Sequence, residues 1–235
     1  KVHRTPEGDA AALQGLSLAV DKLRAQHAGK FVGVAPPRIR KPGEEKITKF
    51  LLGLRPDGVL VRGLGLLHEL QTSSAEPQKN APLFVGDFSL NVTNELTAQW
   101  LMEHGAEVVT ASYDMNRDQL LALVKAVPAE WLEVVVHQHM PMFHMEHCVF
   151  CAVLSPGTNK TNCGRPCDRH EVRLRDRVGM EHLLKADVGC RNTLFNAVPQ
   201  SAAELVPDLM EHGLCDFRIE LLDESPAETR STVAL

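Results

Sequence analysis

The sequence predicts an α/β fold of the (β/α)8, TIM-barrel-like type, shortened at its N-terminus, with a cysteine-rich insertion after the penultimate strand. Three observations carry that expectation. Apolar runs of four to six residues alternate with amphipathic stretches of about ten, the rhythm of a parallel sheet wound right-handedly with helices outside. Five such strands are clear before residue 137 and one after the insertion, and one or two doubtful strands at the start bring the count towards eight. No G-x-G-x-x-G follows a strand and opens a helix, so an open doubly wound sheet, the second choice, lacks its dinucleotide-binding signature. Residues 1–235 read as a single barrel-like domain, with 137–198 laid over the carboxyl ends of the strands.

In chain order, residues 1–4 read as a short strand and Thr5-Pro6-Glu7 as a helix start, with a cap and a proline in the first turn. Residues 16–20 fit either a second strand or part of one helix running to residue 28. The repeating pattern then sets in. Residues 31–35 make a short strand ended by Pro36-Pro37, and Pro42-Gly43-Glu44-Glu45 opens a helix with Ile47, Phe50, Leu51 and Leu54 as its apolar positions. Strands over 58–61, 82–86, 107–111 and 131–136 alternate with helices over 64–70, 93–104 and 118–127, and Gly105 stands where a helix usually stops. After the insertion, a helix over 201–212 closed by Gly213 leads to a final strand at 216–222. Cys215, at the opening of that strand, reads as a small buried hydrophobe.

Composition narrows the function classes. With 44% hydrophobic and 23% charged residues, the chain has material for a sizeable core without covalent staples. A net charge of −5 speaks against bulk electrostatic capture of nucleic acid, although a local basic patch stays open. No apolar run reaches the roughly 18 residues of a membrane span. The opening Lys1, His3 and Arg4 do not resemble a secretory signal, and the missing initiator methionine points to a trimmed or excised segment. A cytoplasmic protein with reduced thiols is the expectation, which weakens a disulfide reading and favours a metal or cluster.

The chemistry concentrates between residues 137 and 196, which hold five of the six cysteines and six of the eleven histidines. Fourteen residues separate Cys148 from Cys163, three separate Cys163 from Cys167, and 22 separate Cys167 from Cys190. Four thiolates gathered in this way suit a [4Fe–4S] cube. Cys148-Val-Phe-Cys151 with Cys163-Gly-Arg-Pro-Cys167 equally suits two knuckles of a zinc site. On spacing alone the two stand level. In a parallel α/β fold the working residues lie at the carboxyl ends of strands, which here are Arg38, Arg62, Asp87 with Asn91, Ser112 with Asp114, His137 with His139, and Glu220 with Asp223.

The run HMEHCVFCAVLSPGTNKTNCGRPCDRHEVRLRDRVGMEHLLKADVGCRNTLFNA resembles the signature region of peptidase family U32, the collagenase-like proteins. In particular it is similar to the branch that includes the bacterial ribosomal-RNA hydroxylation proteins. GDFSLNVTN, EVVTASYDMNRDQL and LEVVVHQHMPMF upstream are similar to that family's strand–helix units. The combined pattern E-x-C, C-G-x-P-C, L-x-D-R-x-G and D-x-x-C-R-x-x-x-x-N makes a chance match remote. The resemblance implies a barrel and an oxygen-sensitive [4Fe–4S] cluster on Cys148, Cys163, Cys167 and Cys190, with Cys151 as a spare thiol or alternative ligand. It further implies oxygen-independent hydroxylation of an RNA base or a quinone precursor, with a small carboxylated donor such as prephenate and room for a partner subunit. A collagenase-like peptidase and a non-catalytic, zinc-stabilised RNA-binding module are the alternatives.

Several residues carry two readings. Asp87 and Asn91 either line a site or cap a helix, and His137 and His139 either line it or serve as hydrogen-bonded core histidines. His144 and His147, beside Cys148, suit outer-shell hydrogen bonds better than zinc. Arg191, next to Cys190, is the candidate to grip a carboxylated donor, while Arg173, Arg175 and Arg177 read as a solvated hairpin face. Glu146 either serves the site or pairs with Arg191 or Arg165. Peptidase machinery is not visible: His-Met-Glu-His has the wrong spacing for H-E-x-x-H, and no G-x-S-x-G elbow occurs.

Overall fold

The computed structural model describes residues 6–73 and 81–234. The strand expected over 1–4 and the cap at Thr5 lie outside them. The undecided stretch 16–20 is helical, within α1 (Pro6–Gln26), where Arg24 donates to the carbonyls of Leu54 and Arg55. Contact clustering divides the chain into two compact units, one of residues 20–137, 201–220 and 226–235, the other of residues 1–19, 138–200 and 221–225.

The first unit follows the predicted rhythm. β1 (Gly33–Val34), α2 (Glu45–Gly53), β2 (Gly58–Val61), α3 (Leu64–Ser73), β3 (Leu83–Gly86), α4 (Glu95–Glu103), β4 (Val108–Thr110), α5 (Arg117–Ala126) and β5 (Leu132–Gln138) succeed one another. The strands pair in parallel in the order β1-β2-β3-β4-β5, a curled half-barrel rather than a closed cylinder of eight. Local chemistry fixes the helix ends. Asn94 accepts the Thr97 N–H at 2.9 Å to start α4, and Asn116 with Gln119 forms a reciprocal capping box at α5. Gly105 closes α4 as expected, its N–H returning to the Met102 carbonyl.

Register determines which side chains share a face. Val61, Gly86, Val109 and Leu132 stand side by side, as do Leu60, Val85 and Val108. Side chains alternate along a strand. Val59, Val61, Val109, Leu132, Val134 and Val136 are therefore one buried apolar face, which serves the helices. The opposite face carries Leu60, Val85 and Val108, and then, towards the carboxyl ends, Arg62, Asp87, Thr110 and Glu133.

The second unit was the less legible. Its residues form an antiparallel sheet in the order β6-β9-β8-β7, from β6 (Pro141–Met145), β7 (Val172–Arg175), β8 (Glu181–Asp187) and β9 (Arg191–Phe195), with the short helix α6 (Val149–Leu154) after β6. Phe150, Leu184 and Leu194 are its buried core. The sequence offered a hairpin here; the four-stranded pairing comes from period-2 segments too short to stand out singly.

Beyond residue 200, β10 (Gln200–Ser201) and β11 (Asp216–Ile219) both pair with β5, β11 in parallel. The helix expected over 201–212 is shorter, α7 (Val206–Glu211), preceded by a 3-10 turn over Ala203–Leu205. Pro207 explains the trim, because proline fits only the first turn of a helix. The strand expected to be last is followed by α8 (Pro226–Val233). Cys215, expected in the core, is exposed, because its strand starts one residue later and the buried neighbour is Leu214. No helix among the described residues is long and apolar enough to cross a membrane.

Candidate functional site

Each motif of the cysteine-rich unit has a conformational task. Cys148 is the N-cap residue of α6, yet its thiol makes no capping bond. Asn192 does that work from β9, its Oδ1 accepting the Val149 N–H at 2.7 Å, and the sulfur stays available. Cys163 follows a turn in which Asn162 Oδ1 accepts the amides of Thr158 and Asn159 at 2.9 and 3.0 Å. Gly164 and Arg165 then take left-handed backbone (φ 63° and 55°), and Pro166 starts the 3-10 turn that presents Cys167. In L-x-D-R-x-G, Asp176 Oδ1 accepts the amides of Val178 and Met180 at 2.9 Å each, and Gly179 supplies the positive φ of 91° that closes the β7–β8 hairpin.

The last motif carries strain. Asp187 accepts the Val188 N–H at 2.6 Å, Gly189 sits at φ 76°, and Cys190 itself is left-handed at φ 63°. A non-glycine residue there is costly and is retained where its surroundings fix its direction. Arg191, next in line, is fully buried: its Nε donates to Glu146 Oε1 at 2.9 Å and one Nη to the Val188 carbonyl at 3.2 Å. Of the two readings of Glu146, the structure thus shows the pair with Arg191. The glutamate of E-x-C and the arginine of C-R tie the segment bearing Cys148 to the segment bearing Cys190. A guanidinium with no exposed surface could meet a donor only if the donor were enclosed with it.

All six cysteines are free thiols, so no disulfide knot is present. Cys151, buried in α6, marks where the others gather. Burial pushes its thiol up, and Cys163, within hydrogen-bonding reach, together with Cys148 and Cys190, pushes the same way. Cys148 and Cys167 both pack against the Phe150–Leu184–Leu194 core. Cys163, Cys148 and Cys190 thus lie close enough to act on Cys151, and Cys148 and Cys167 share an apolar floor. Among the described residues no three His, Cys, Asp or Glu side chains converge tightly enough to hold a single metal ion. One zinc would require sulfurs about 3.8 Å apart around it; a cube gives each thiolate its own iron and accepts a wider set.

The histidines divide among tasks. His182 Nδ1 accepts the Ala197 N–H at 3.1 Å, which leaves Nε2 to donate to Asp176 at 3.3 Å. His144 Nδ1 lies 3.0 Å from Thr193 Oγ1. His139 Nδ1 lies 2.9 Å from the Asn196 carbonyl, and its Nε2 is 3.5 Å from Glu224. Burial would raise the Glu224 carboxyl, but the amides of Glu224, Leu222 and Asp223 outweigh it and hold that carboxyl below its usual range. His137 belongs to the half-barrel unit, on β5, and its buried Nδ1 has no hydrogen-bond partner among the described residues. Arg173 pairs with Glu171 at 2.7 Å and Arg175 with Glu181 at 2.5 Å on the exposed hairpin.

The Asp176 turn has a pH signature. Burial pushes this carboxyl up, but the Met180 amide, His182 and the Val178 amide pull it below its ordinary value. A lowered folded pKa means stability that is present above the unfolded value and lost as pH falls through the folded one. The Val178 and Met180 amides are therefore expected to stay protected from hydrogen exchange as pH falls past the ordinary carboxylate range, and to lose protection only below it. Asp176→Asn, whose amide oxygen can accept both bonds, should remove that pH dependence.

The half-barrel holds a second cluster, which the sequence only half revealed. Asp87, 1% exposed, accepts Arg62 Nε at 3.0 Å and an Arg218 Nη at 2.8 Å. It caps no turn with its side chain. Arg218 also reaches Glu133 at 2.5 Å, Thr110 Oγ1 at 2.8 Å and Glu220 at 3.3 Å, and Thr110 donates to Glu133 at 2.8 Å. These carboxylates hold Arg218 charged against the burial that disfavours it. Asn91, the other strand-end candidate, is exposed and left-handed (φ 54°), a backbone task asparagine tolerates well. Glu133, Thr110 and Arg218 went unremarked in the sequence. Their signal was present: charges at every second position of 216–220, and one glutamate inside an otherwise apolar strand.

The family model described as "Peptidase family U32" matches residues 42–235 of the chain. No curated protein shows significant similarity to it. Among solved structures, the chitinase ChiW from Paenibacillus sp. str. FPU-7, described as a cell-surface-expressed multi-modular enzyme, superposes at a TM-score of 0.37 with 12% sequence identity. The match covers 91% of this chain and 33% of that one, so the chain spans about a third of that protein's length. A likeness so slight carries no argument about activity.

Proposed function

Since the chain belongs to peptidase family U32, we propose that it is an iron–sulfur protein supporting oxygen-independent hydroxylation, of an RNA base or a quinone precursor, at the expense of a small carboxylated donor such as prephenate. The observation that carries the reading is the gathering of Cys148, Cys163 and Cys190 about Cys151, with Cys167 on the same apolar core as Cys148. The donor set is soft and sheltered, as a [4Fe–4S] cluster requires. Such a cluster would supply the redox chemistry. The chain's own residues have other tasks. Asn192 keeps the Cys148 sulfur out of helix capping, Glu146 and Arg191 lock two ligand-bearing segments together, and Phe150, Leu184 and Leu194 exclude water. A reducing, cytoplasmic setting suits thiols kept free.

Purification without oxygen tests this reading. The expected result is a brown protein with a broad visible thiolate-to-iron band and about four irons per chain. A colourless protein with one tightly held zinc overturns it in favour of the RNA-binding module. Collagen cleavage that survives chelation overturns it in favour of the peptidase.

A further inference from the structure

Beyond the carboxyl ends of β1 and β2 lies a pocket of about 180 Å³, partly open to solvent, that the iron–sulfur reading does not use. Three guanidinium groups, Arg38, Arg40 and Arg62, line it against a single carboxylate, Glu44. Each arginine is oriented from behind: Arg38 stands 4.8 Å over the Phe88 ring, Arg40 pairs with Glu69, and Arg62 binds Asp87. These contacts engage at most two of the five N–H donors of each fork. Pro36, Pro37, Ile47 and Leu66 supply an apolar wall.

The turn into α3 adds to the same field. Gly63 and Gly65 line the pocket at the N-terminal end of a ten-residue helix, and among the described residues nothing lies within 4 Å of where a Cβ would stand on either.

We propose that this pocket binds a small organic oxyanion, a molecule with carboxylate or phosphate groups on Arg38, Arg40 and Arg62 and an apolar body against Pro36, Pro37, Ile47 and Leu66. Guanidinium forks match either head group bidentately, and neither needs a metal. The proposal stands apart from the cluster, since every residue lining the pocket lies between positions 36 and 66 of the half-barrel unit.

Calorimetric titration of the full chain with phenyl phosphate, benzylmalonate and inorganic phosphate tests it. At least one of the two apolar-bodied probes is expected to bind, and to bind more tightly than inorganic phosphate; which of them is preferred identifies the head group. Arg38→Ala and Arg40→Ala should each weaken binding by about tenfold to a hundredfold. Gly65→Asp, an acidic residue in a first helical turn with room for it, should fold normally and abolish binding. Cys163→Ala should bind like the parent, which separates failure of this site from failure of the iron–sulfur reading. The proposal is overturned if neither apolar-bodied probe binds, if inorganic phosphate binds as tightly as they do, or if binding survives Gly65→Asp or the two arginine replacements combined.

Discussion

Cys163→Ala, prepared without oxygen, is expected to emerge colourless and nearly iron-free, while Cys151→Ser keeps its colour and its iron. The contrast follows from where the two thiols stand. Both belong to one neighbourhood, and Cys163 lies within hydrogen-bonding reach of Cys151. Cys151, however, is 7% exposed on the inner side of α6, where the helix fixes its direction. Cys163 sits at the mouth of a turn held by Asn159 and Asn162, part exposed and free to adjust to a metal. A cube that loses one of four thiolates opens an iron to solvent and oxygen, and the loss is expected to be close to total. Absorbance and iron content per chain read both variants. Retention of iron by Cys163→Ala with an unshifted visible band, or loss of iron from Cys151→Ser, would show that the ligand set is not the one proposed. A cluster that moved onto Cys151 in Cys163→Ala would show itself by a shifted visible band at undiminished iron.

The same contrast separates what the sequence made legible from what it hid. The strands over 58–61 and 82–86 and the helices over 93–104 and 118–127 were readable because each rests on local chemistry: an apolar run, a periodic apolar face, a stop. The cysteine ligand set was readable as spacing and resemblance. Hidden were the contacts that close distances in sequence. Glu146 and Arg191 are 45 positions apart, and their pairing is what joins E-x-C to C-R in this chain. Arg191 read as a ligand grip because a guanidinium matches a carboxylate and this one stands next to Cys190; that its side chain is fully buried and paired with Glu146 could not be read from the sequence. Asp87 read correctly as a strand-end carboxylate, but Arg218, its partner 131 positions later, could not be assigned to it without the fold. The half-barrel in place of a closed cylinder has a similar cause. Nothing in a strand's own residues states whether the sheet's free edge meets another strand.

Asp87→Ala is the substitution expected to cost the half-barrel most. The carboxylate is 1% exposed and answers two guanidinium groups, Arg62 at 3.0 Å and Arg218 at 2.8 Å. Breaking a buried pair from one side typically costs about 3–5 kcal/mol, chiefly because the surviving charge is left uncompensated. Here the lower end applies: Arg218 keeps Glu133 at 2.5 Å and Glu220 at 3.3 Å, and Arg62 is 27% exposed and can turn to water. A loss of about 3 kcal/mol corresponds to roughly 6–12 °C in Tm for a chain of this size. Asp87→Asn should fall between, since one amide oxygen can answer one guanidinium while its NH2 faces the other. Denaturation followed by hydrogen exchange on β5 and β11 reads the effect where it arises. If Asp87→Ala is instead as stable as the parent, the carboxylate is no structural anchor, and its place at the carboxyl end of β3 becomes one where a substrate, rather than Arg62 and Arg218, is what it exists to meet.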